Sequence, residues 1–270
     1  MEPDRVRSAG NPAKTSSSAA AVKSASRVLE LLEFAQQVRR PFKAVELREA
    51  LDWPASSTQM LLQTVVESGY LIFNNQTKHY FPSPRVFALG SWPGDAHWDL
   101  EGIFDVLQEI AAETGETAVL SIENVYGAQC VKLVPGRTPM PVKIASGFRA
   151  PLTSSAAGLA ILTAKSDGQV MTAVQKSREL AARGIESYAQ MMKTVHQFRR
   201  EGRALVYGRL WADSCWISVP TPKPYNMVPA TISVGGSLAT MKRREDAVTL
   251  ATFSAISRWR ANARAPGRTG

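Results

Sequence analysis

Four polar side chains are predicted to share the outer surface of a short helix that follows Pro54. They are Ser56, Ser57, Gln59 and Gln63. The apolar stripe on the other side of this helix consists of Thr58, Leu61, Leu62 and Val65. A Gln amide can form two hydrogen bonds with adenine, and a Ser hydroxyl can reach a phosphate or a base edge. These residue types therefore suit contacts with DNA, while the simpler alternative is that they are solvated helix residues.

A second candidate for chemistry is the loop from Gly147 to Ser155, which precedes an Ala-rich helix. Glycine permits a close approach of the backbone, and Ser154 and Ser155 supply oxygens that can cap the helix. The N–H groups at the start of a helix attract carboxylates. The loop therefore indicates a site for a small acid, although ordinary helix capping explains the same residues.

No arrangement of residues indicates catalysis. The sequence contains neither a Gly-x-Ser-x-Gly elbow nor a Gly-rich phosphate loop in a strand-helix-strand setting. His79, His97 and His196 show no metal-ligand spacing with one another or with Cys130 and Cys215. The two cysteines are expected to be reduced thiols. The sequence thus favours a binding protein over an enzyme and predicts neither a metal site nor a cofactor.

The helix after Pro54 is the third of three short helices predicted over residues 24–90. Two β-prone runs follow it, Tyr70–Phe73 and His79–Phe81, and the polar connection between them predicts a hairpin. This is the outline of a winged helix-turn-helix domain. Such a domain places its third helix in the major groove of DNA and its hairpin beside the backbone or the minor groove.

Beyond the hairpin, residues 84–90 are expected to lead out of the wing and to complete this domain, and a linker helix is predicted over residues 91–114. Strand-like and helical segments then alternate over residues 115–263, which predicts a second domain of the α+β class. The strand-like segments are Ala118–Ile122, Cys130–Val134, Trp216–Val219 and Ala230–Val234, and the helical ones are Ser155–Leu162, Met191–Glu201 and Arg244–Ala263. Residues 1–23 are predicted to form a disordered basic arm and residues 264–270 a flexible tail.

The composition is that of a globular protein, with 44% hydrophobic and 20% charged residues. No apolar run is long enough for a transmembrane helix and the first residues do not form a secretory signal, so a cytoplasmic protein with no membrane partner is expected. The net charge of +9 suggests a polyanionic partner, but residues 24–90 contribute only +1 whereas residues 241–270 contribute +5. Charge alone therefore does not identify a DNA-binding domain.

Several motifs, in order along the chain, resemble the IclR family of bacterial transcription regulators. The segment Pro54–Leu71 resembles the recognition helix and the start of the wing in that family. The other motifs are Thr114–Thr117 at the opening of the effector domain, the loop-to-helix segment Gly147–Gly158, the helix end Phe198–Gly202, Cys215, and the segment Ala230–Gly235. Together they span residues 24–262, which is nearly the whole chain.

The resemblance implies a winged helix-turn-helix domain that a linker helix joins to a GAF/profilin-like effector-binding domain with a mainly antiparallel sheet. It also implies a homodimer or tetramer on a roughly palindromic operator in double-stranded DNA, with half-sites about one helical turn apart. Small and often acidic metabolites are the expected effectors, and a catabolic operon is the expected target. The alternative is a winged-helix regulator whose C-terminal domain only forms oligomers.

Two positions in the helix after Pro54 depart from the family. Ala55 and Met60 stand where the family commonly has Lys and Arg, so two cationic contacts with DNA are missing. Phosphate contacts are therefore expected from the remaining basic residues of this domain and of the arm. These are Lys43, Lys78 and Arg85, together with Arg39 and Arg40, and in the arm Arg5, Arg7, Lys14 and Lys23.

Carried over by position, the ligand-contacting residues of the family correspond here to Ala157, Gly158, Cys215, Ser233 and Gly235. A simpler interpretation of Cys215 is that it is a buried packing residue.

The segment Leu205–Trp211 also departs from the family, which is acidic at this point. Tyr207, Arg209, Trp211 and Trp216 make the surface aromatic and cationic. An aromatic ring can pack on Trp or Tyr, while Arg209 or Arg149 can hold its carboxylate at two points. The departure thus indicates an aromatic carboxylate as the effector, unless the two Trp belong to the core or to an oligomer interface.

Overall fold

The computed structural model describes residues 22–91, 100–125, 127–138, 144–180, 187–221 and 228–262. These residues divide into two compact units, residues 22–91 and residues 100–262. Most of the predicted arm and the whole predicted tail lie outside the described residues. Lys23, which was assigned to the arm, is the first residue of a helix.

The N-terminal unit contains four helices and one hairpin among its described residues. The elements are α1 (Lys23–Val38), α2 (Ala44–Leu51), α3 (Ala55–Glu67), β1 (Leu71–Asn74), β2 (His79–Pro82) and α4 (Pro84–Ser91). The turn between α2 and α3 is tight because Asp52 adopts a left-handed conformation, with φ of 53°. β1 and β2 are antiparallel, and Phe42 forms a bridge with Tyr80 of β2. The helix trio and the hairpin are those that the sequence predicts.

The core of this unit fixes the orientation of α3. Leu62 and Val65 of α3 are buried against Leu31 of α1 and Leu47 of α2. Because an α-helix has 3.6 residues per turn, burying this stripe turns the opposite side of α3 to solvent.

Residues 84–90, which were expected to lead out of the wing, belong to the helix α4 (Pro84–Ser91), which the sequence did not predict. The Ser83 hydroxyl accepts a hydrogen bond of 3.2 Å from the backbone N–H of Arg85 and so caps the helix. Pro84 stands in the first turn, where its missing N–H costs nothing. The helix predicted over residues 91–114 is described only as α5 (Leu100–Thr114), and residues 92–99 lie outside the described residues.

The C-terminal unit is built on a six-stranded sheet, as far as the structure describes it. Its strands are β3 (Thr117–Asn124), β4 (Gly127–Val134), β5 (Arg149–Pro151), β6 (Ala204–Tyr207), β7 (Ser214–Pro220) and β8 (Ala230–Ser237). Their order is β5-β4-β3-β8-β7-β6, and each neighbouring pair is antiparallel. This confirms the expected α+β class with a mainly antiparallel sheet.

Helices cover both faces of this sheet. They are α6 (Ala156–Thr163), α7 (Asp167–Leu180), α8 (Tyr188–Glu201), α9 (Leu238–Arg243) and α10 (Glu245–Asn262). α6, α7 and α8 share one apolar cluster with Trp216 of β7, while α5 and α10 pack against each other and contact other sheet residues. The helix α7 and the short strands β5 and β6 were missed from the sequence. None of the helices that the structure describes combines the length and the apolar run that a membrane crossing requires.

Candidate functional sites

The outward face of α3 consists of Ser56, Gln59, Met60 and Gln63. All four side chains are exposed, and Met60 is the most apolar of them, with 70% of its surface accessible. Three of the four polar residues predicted to read DNA thus lie on one solvent-facing surface. Met60 lies among them. From the sequence, its position was noted only because a cationic side chain was expected there and is missing.

Ser57 does not belong to the outward face. It is half-buried, and its hydroxyl accepts a hydrogen bond of 3.0 Å from Arg27 Nη1 of α1 and donates one of 3.2 Å to the carbonyl of Pro54. The Arg27 guanidinium also lies 5.2 Å from the centre of the Trp53 ring. Ser57 therefore joins α1 to the start of α3.

The two glutamines of the outward face have partners within the N-terminal unit. Gln59 Nε2 donates a long hydrogen bond of 3.5 Å to the Tyr80 hydroxyl, and Gln63 Nε2 donates one of 2.8 Å to Glu67 Oε1. The weaker bond leaves Gln59 the easier of the two to reorient toward a base.

The predicted phosphate contacts lie around α3 on separate elements. Lys43 is exposed at the start of α2. Lys78 lies in the hairpin turn, 5.8 Å from the ring centre of Phe73, and Arg85 of α4 lies 4.9 Å from that of Tyr70. Cation–π contacts of this kind orient a charge without neutralising it.

Arg40, which was also expected to contact phosphate, pairs with Glu46 at 2.6 Å. The guanidinium lowers the pKa of the Glu46 carboxyl, chiefly by its hydrogen bond, and the same bond raises the pKa of Arg40. This arginine therefore already has an anionic partner within the protein.

The C-terminal unit contains a cavity of about 500 Å³, measured to its open mouth. Residues of β3, β4, β7 and β8 form its floor, and the loop before α6 and residues 208–211 form its rim. Five serines border it, namely Ser121, Ser154, Ser155, Ser214 and Ser233. Arg209 carries the only charge among the described residues that line it.

Phe148, Trp211 and Trp216 form an aromatic wall along this cavity. The ring centres of Phe148 and Trp211 are 5.6 Å apart, and those of Trp211 and Trp216 are 6.4 Å apart. The indole nitrogen of Trp216 is buried and has no hydrogen-bond partner among the described residues. A buried donor without an acceptor is unfavourable.

Two glycines shape the cavity from behind. Gly235 of β8 is the register partner of Trp216, and a Cβ on it would lie 2.3 Å from carbon atoms of the indole. Gly158 of α6 lies against the backbone of Leu152, whose Cα would be 2.4 Å from an added Cβ. The Ser155 hydroxyl accepts a hydrogen bond of 2.9 Å from the N–H of Gly158 and caps α6.

These two sites lie in segments that match known protein families. A family model described as the IclR helix-turn-helix domain matches residues 24–73, and one described as the C-terminal part of the bacterial transcriptional regulator IclR matches residues 101–259. The chain belongs to the IclR family. This confirms the resemblance inferred from the sequence motifs, and the family is one of transcriptional regulators and not of enzymes.

Curated relatives in the IclR family are distant. The chain is 24% identical to the acetate operon repressor of Salmonella typhimurium and 25% identical to the transcriptional repressor IclR of Escherichia coli, over 185 residues in each case. Each match covers 65% of this chain and 63% of the relative. The chain therefore spans less than two thirds of the length of the curated relatives it matches.

A solved IclR structure supports the fold. The crystal structure of IclR from Thermotoga maritima is 19% identical and has a TM-score of 0.63, covering 87% of this chain and 98% of that one. At this identity the likeness shows the IclR fold alone.

Within the IclR fold, the cavity collects most of the residues that the sequence suggested for an effector. Those that line it are Ser154, Ser155, Ala157, Arg209, Trp211, Trp216 and Ser233. Those that do not are Arg149, Gly158, Tyr207, Cys215 and Gly235. Gly158 and Gly235 lie behind it, as described above, and Arg149 is exposed on the edge strand β5.

Cys215 and Tyr207 lie elsewhere because adjacent residues of a strand face opposite sides of the sheet. Cys215 precedes Trp216 and is fully buried, and burial raises the pKa of its thiol to about 12. Tyr207 follows the cavity residue Val206 and donates a hydrogen bond to Glu245. Burial, with that hydrogen bond as a second cause, raises the pKa of the Tyr207 hydroxyl to about 12.

The sequence reading missed Cys130 and Phe148, which both line the cavity. Alternation along β3 and β4 was the available signal, because Val119 and Ser121 lie on one side of β3, and Ala128 and Cys130 lie on one side of β4. Burial raises the pKa of the Cys130 thiol to about 11, so it stays protonated at neutral pH and acts as a nearly apolar lining group.

A buried carboxyl group marks another part of the C-terminal unit. Glu116 is only 1% exposed, and its Oε1 has no hydrogen-bond partner among the residues that the structure describes. Arg244 Nη1 lies 4.0 Å from that oxygen and donates its hydrogen bond, of 2.8 Å, to the carbonyl of Thr114 instead. Burial raises the pKa of Glu116, and the charge of Arg244 opposes the shift.

Proposed function

We propose that this IclR-family protein regulates transcription by binding double-stranded DNA with α3 in the major groove and the hairpin beside it. The observation that carries the proposal is the outward face of α3, which a buried stripe holds toward solvent within a domain that matches the family helix-turn-helix. The protein would act in the cytoplasm, where its DNA is accessible.

The sparse charge of the N-terminal unit supports binding as an oligomer. The family arginine and lysine are replaced by Met60 and Ala55, and Arg40 is paired with Glu46. One domain with few phosphate contacts gains little nonspecific affinity. A homodimer, or a tetramer built from dimers, would add the contributions of two half-sites on a roughly palindromic operator.

For the C-terminal unit we propose an aromatic carboxylate as the effector. The cavity is lined mainly by apolar and aromatic side chains with a few polar groups among them, which is typical of small-molecule sites. The aromatic wall suits stacking against a ring, and the Trp216 N–H supplies a donor for an oxygen acceptor. Arg209 at the exposed rim offers charge for the carboxylate.

A regulator with this cavity would control an operon for the breakdown of compounds chemically related to its effector. The names of the two curated relatives describe repressors, and one of those names refers to the acetate operon.

The DNA proposal is tested by selecting duplexes from a random pool with the full-length protein and measuring their affinity. Gln59→Ala should weaken binding selectively at one position of each half-site, because Gln can read adenine through two hydrogen bonds. Gln63→Ala is the matched control, since Gln63 is already bonded to Glu67, and it should have the smaller effect. Failure to enrich any sequence, or equal weakening on all sequences, would contradict base reading by α3.

The effector proposal is tested by thermal unfolding and tryptophan fluorescence in the presence of benzoate, with acetate as the aliphatic control. A ligand that binds only the native state raises the unfolding temperature. Trp216→Phe keeps a ring but removes the N–H, and it should weaken benzoate binding about fivefold, as expected for one hydrogen bond. A response to acetate and to no aromatic acid would reject the aromatic effector. No response to any acid would favour a domain that only forms oligomers.

A further inference from the structure

Met60 occupies the middle of the outward face of α3. Its side chain is 70% exposed, so its apolar surface is accessible to a partner of α3. Ser56 lies one turn before it, and Gln63 lies about one turn after it on the same face. An apolar group is therefore displayed at the centre of the surface that would enter the DNA groove.

Several side chains beside Met60 are held by hydrogen bonds within the domain. The thioether side chain of Met60 is therefore the group that projects from this surface. Gln63 is bonded to Glu67, and the Thr64 hydroxyl donates a hydrogen bond of 2.9 Å to the backbone carbonyl of Met60. Gln59 reaches sideways to the Tyr80 hydroxyl of the hairpin. Gln59, Gln63 and Thr64 thus have partners within the domain.

We infer that Met60 determines operator specificity by packing against the C5 methyl group of a thymine in the major groove. The inference rests on the proposed DNA-binding function. In the major groove the thymine methyl is the apolar feature of a base edge, and apolar side chains recognise it by contact. Methionine suits this contact, because its unbranched, polarizable chain adapts to the position of the methyl group.

Deoxyuridine tests the inference, because it differs from thymidine only by the missing methyl group. The operator is first selected from random duplexes with the full-length protein, and each thymine is then replaced singly by deoxyuridine. At one position per half-site, we expect the wild-type protein to bind about fourfold more weakly, the ratio for one apolar carbon removed from contact. Replacing both symmetric thymines should weaken a dimer by about 15-fold, provided that the two half-sites contribute independently.

Met60→Ala completes the comparison. Alanine favours the helix, so the variant should fold as the wild type does, and its circular dichroism and unfolding temperature check this. We expect Met60→Ala to bind the thymine operator more weakly and to show the same affinity for thymine and deoxyuridine at that position. Gln59→Ala is the control, and it should keep the sensitivity to deoxyuridine there.

The outcomes separate the inference from the proposed function. If the protein selects no sequence, the DNA-binding proposal fails and the inference fails with it. If it selects an operator but no thymine methyl affects affinity, or if Met60→Ala keeps the full sensitivity to deoxyuridine, the inference alone is overturned. A change of oligomeric state in Met60→Ala, with unchanged discrimination, would assign Met60 to a contact between protein copies and would also overturn it.

Discussion

The outward face of α3 and the cavity of the C-terminal unit represent two ways of building a recognition site. The face consists of exposed side chains on a single helix, and the core behind that helix holds them in place. The cavity consists of residues from all six described strands of the sheet, a helix start and the adjoining loops, and many of them belong to the largest apolar cluster described. A substitution on the face can therefore change binding without changing stability, whereas most substitutions around the cavity must change both.

Neutral groups dominate both sites. The outward face consists of Ser56, Gln59, Met60 and Gln63, and in the cavity the Cys130 thiol stays protonated while serines and an indole N–H supply the polarity. The net charge of +9 resides mainly outside the two sites. Shape and apolar contact should consequently contribute more to recognition here than charge does.

The largest expected effect is a loss of stability in Gly158→Ala, a substitution beside the cavity that does not touch the outward face of α3. Its Cβ would lie 2.4 Å from the Cα of Leu152, so the backbone behind the cavity must move. Overpacking of this kind costs about 3 kcal/mol of unfolding free energy, measured by urea unfolding. Gly168→Ala is the matched control, because Gly168 also lies in a helix but has open space around its Cα. Equal stabilities of the two variants would contradict the assigned packing of α6.

A smaller and more local effect is expected from Gly235→Ala. The added Cβ would lie 2.3 Å from the Trp216 ring, so the indole must move and the aromatic wall must change shape. We expect benzoate affinity to fall about tenfold, consistent with one misplaced contact surface, and the tryptophan emission to shift. DNA affinity measured without effector should stay near the wild-type value. Unchanged emission together with unchanged affinity would show that the cavity does not depend on the position of this ring.

The difference between the two regions also explains what the sequence could predict. The stripe of Thr58, Leu62 and Val65 is local, so helical periodicity alone predicts that Ser56, Gln59 and Gln63 face outward. Ser57 lies at the edge of that stripe, and its partner Arg27 comes from another helix. Periodicity within α3 contains no information about a side chain that arrives from α1.

The cavity depends on contacts between distant segments, and this limits prediction. Ser233 and Ala157, which the family motifs suggested, line the cavity, whereas Cys215, which they also suggested, does not. Strand alternation places Cys215 and its neighbour Trp216 on opposite sides of the sheet, so the sequence contained enough information to separate these two residues. Cys130 also follows from alternation along β4, whereas Phe148 comes beside it only because its carbonyl accepts a hydrogen bond from the Cys130 N–H, a pairing that no local pattern specifies.

A pH-dependent effect of moderate size is expected from Glu116→Gln. Burial raises the pKa of Glu116 in the folded protein above the unfolded value of about 4.3, so folding favours the protonated carboxyl. That stabilisation is present below the unfolded pKa and is lost as the pH rises through the folded pKa. At pH 7.5 the neutral glutamine should therefore stabilise the protein by about 1 kcal/mol, and the gain should shrink as the pH falls toward 4.5. Urea unfolding of the wild type and of Glu116→Gln at pH 7.5 and pH 4.5 measures this difference in unfolding free energy.

The result for Glu116 has a clear contrary outcome. If glutamine destabilises the protein at pH 7.5, then the Arg244 charge at 4.0 Å outweighs burial and the carboxylate is ionised in the fold. Arg244→Met in the Glu116→Gln background serves as the control, because no carboxylate remains for the arginine to pair with. Its effect on stability should then vary little between the two pH values.

The smallest expected effect tests whether different residues of α3 determine the stability of the N-terminal unit and its recognition of DNA. Ser57→Ala removes the acceptor for Arg27 Nη1, while Arg27 keeps its contact with the Trp53 ring, so the loss of stability should be about 0.5 kcal/mol, the low end for a partly buried hydrogen bond. Ser56→Ala, its exposed neighbour, should leave stability unchanged and weaken operator binding instead. Urea unfolding and operator titration of both variants, in the same buffer, measure the two quantities. If Ser57→Ala alters base preference while stability is unchanged, Ser57 contacts DNA directly. Ser57 then belongs to the outward face and is not one of the residues that support it.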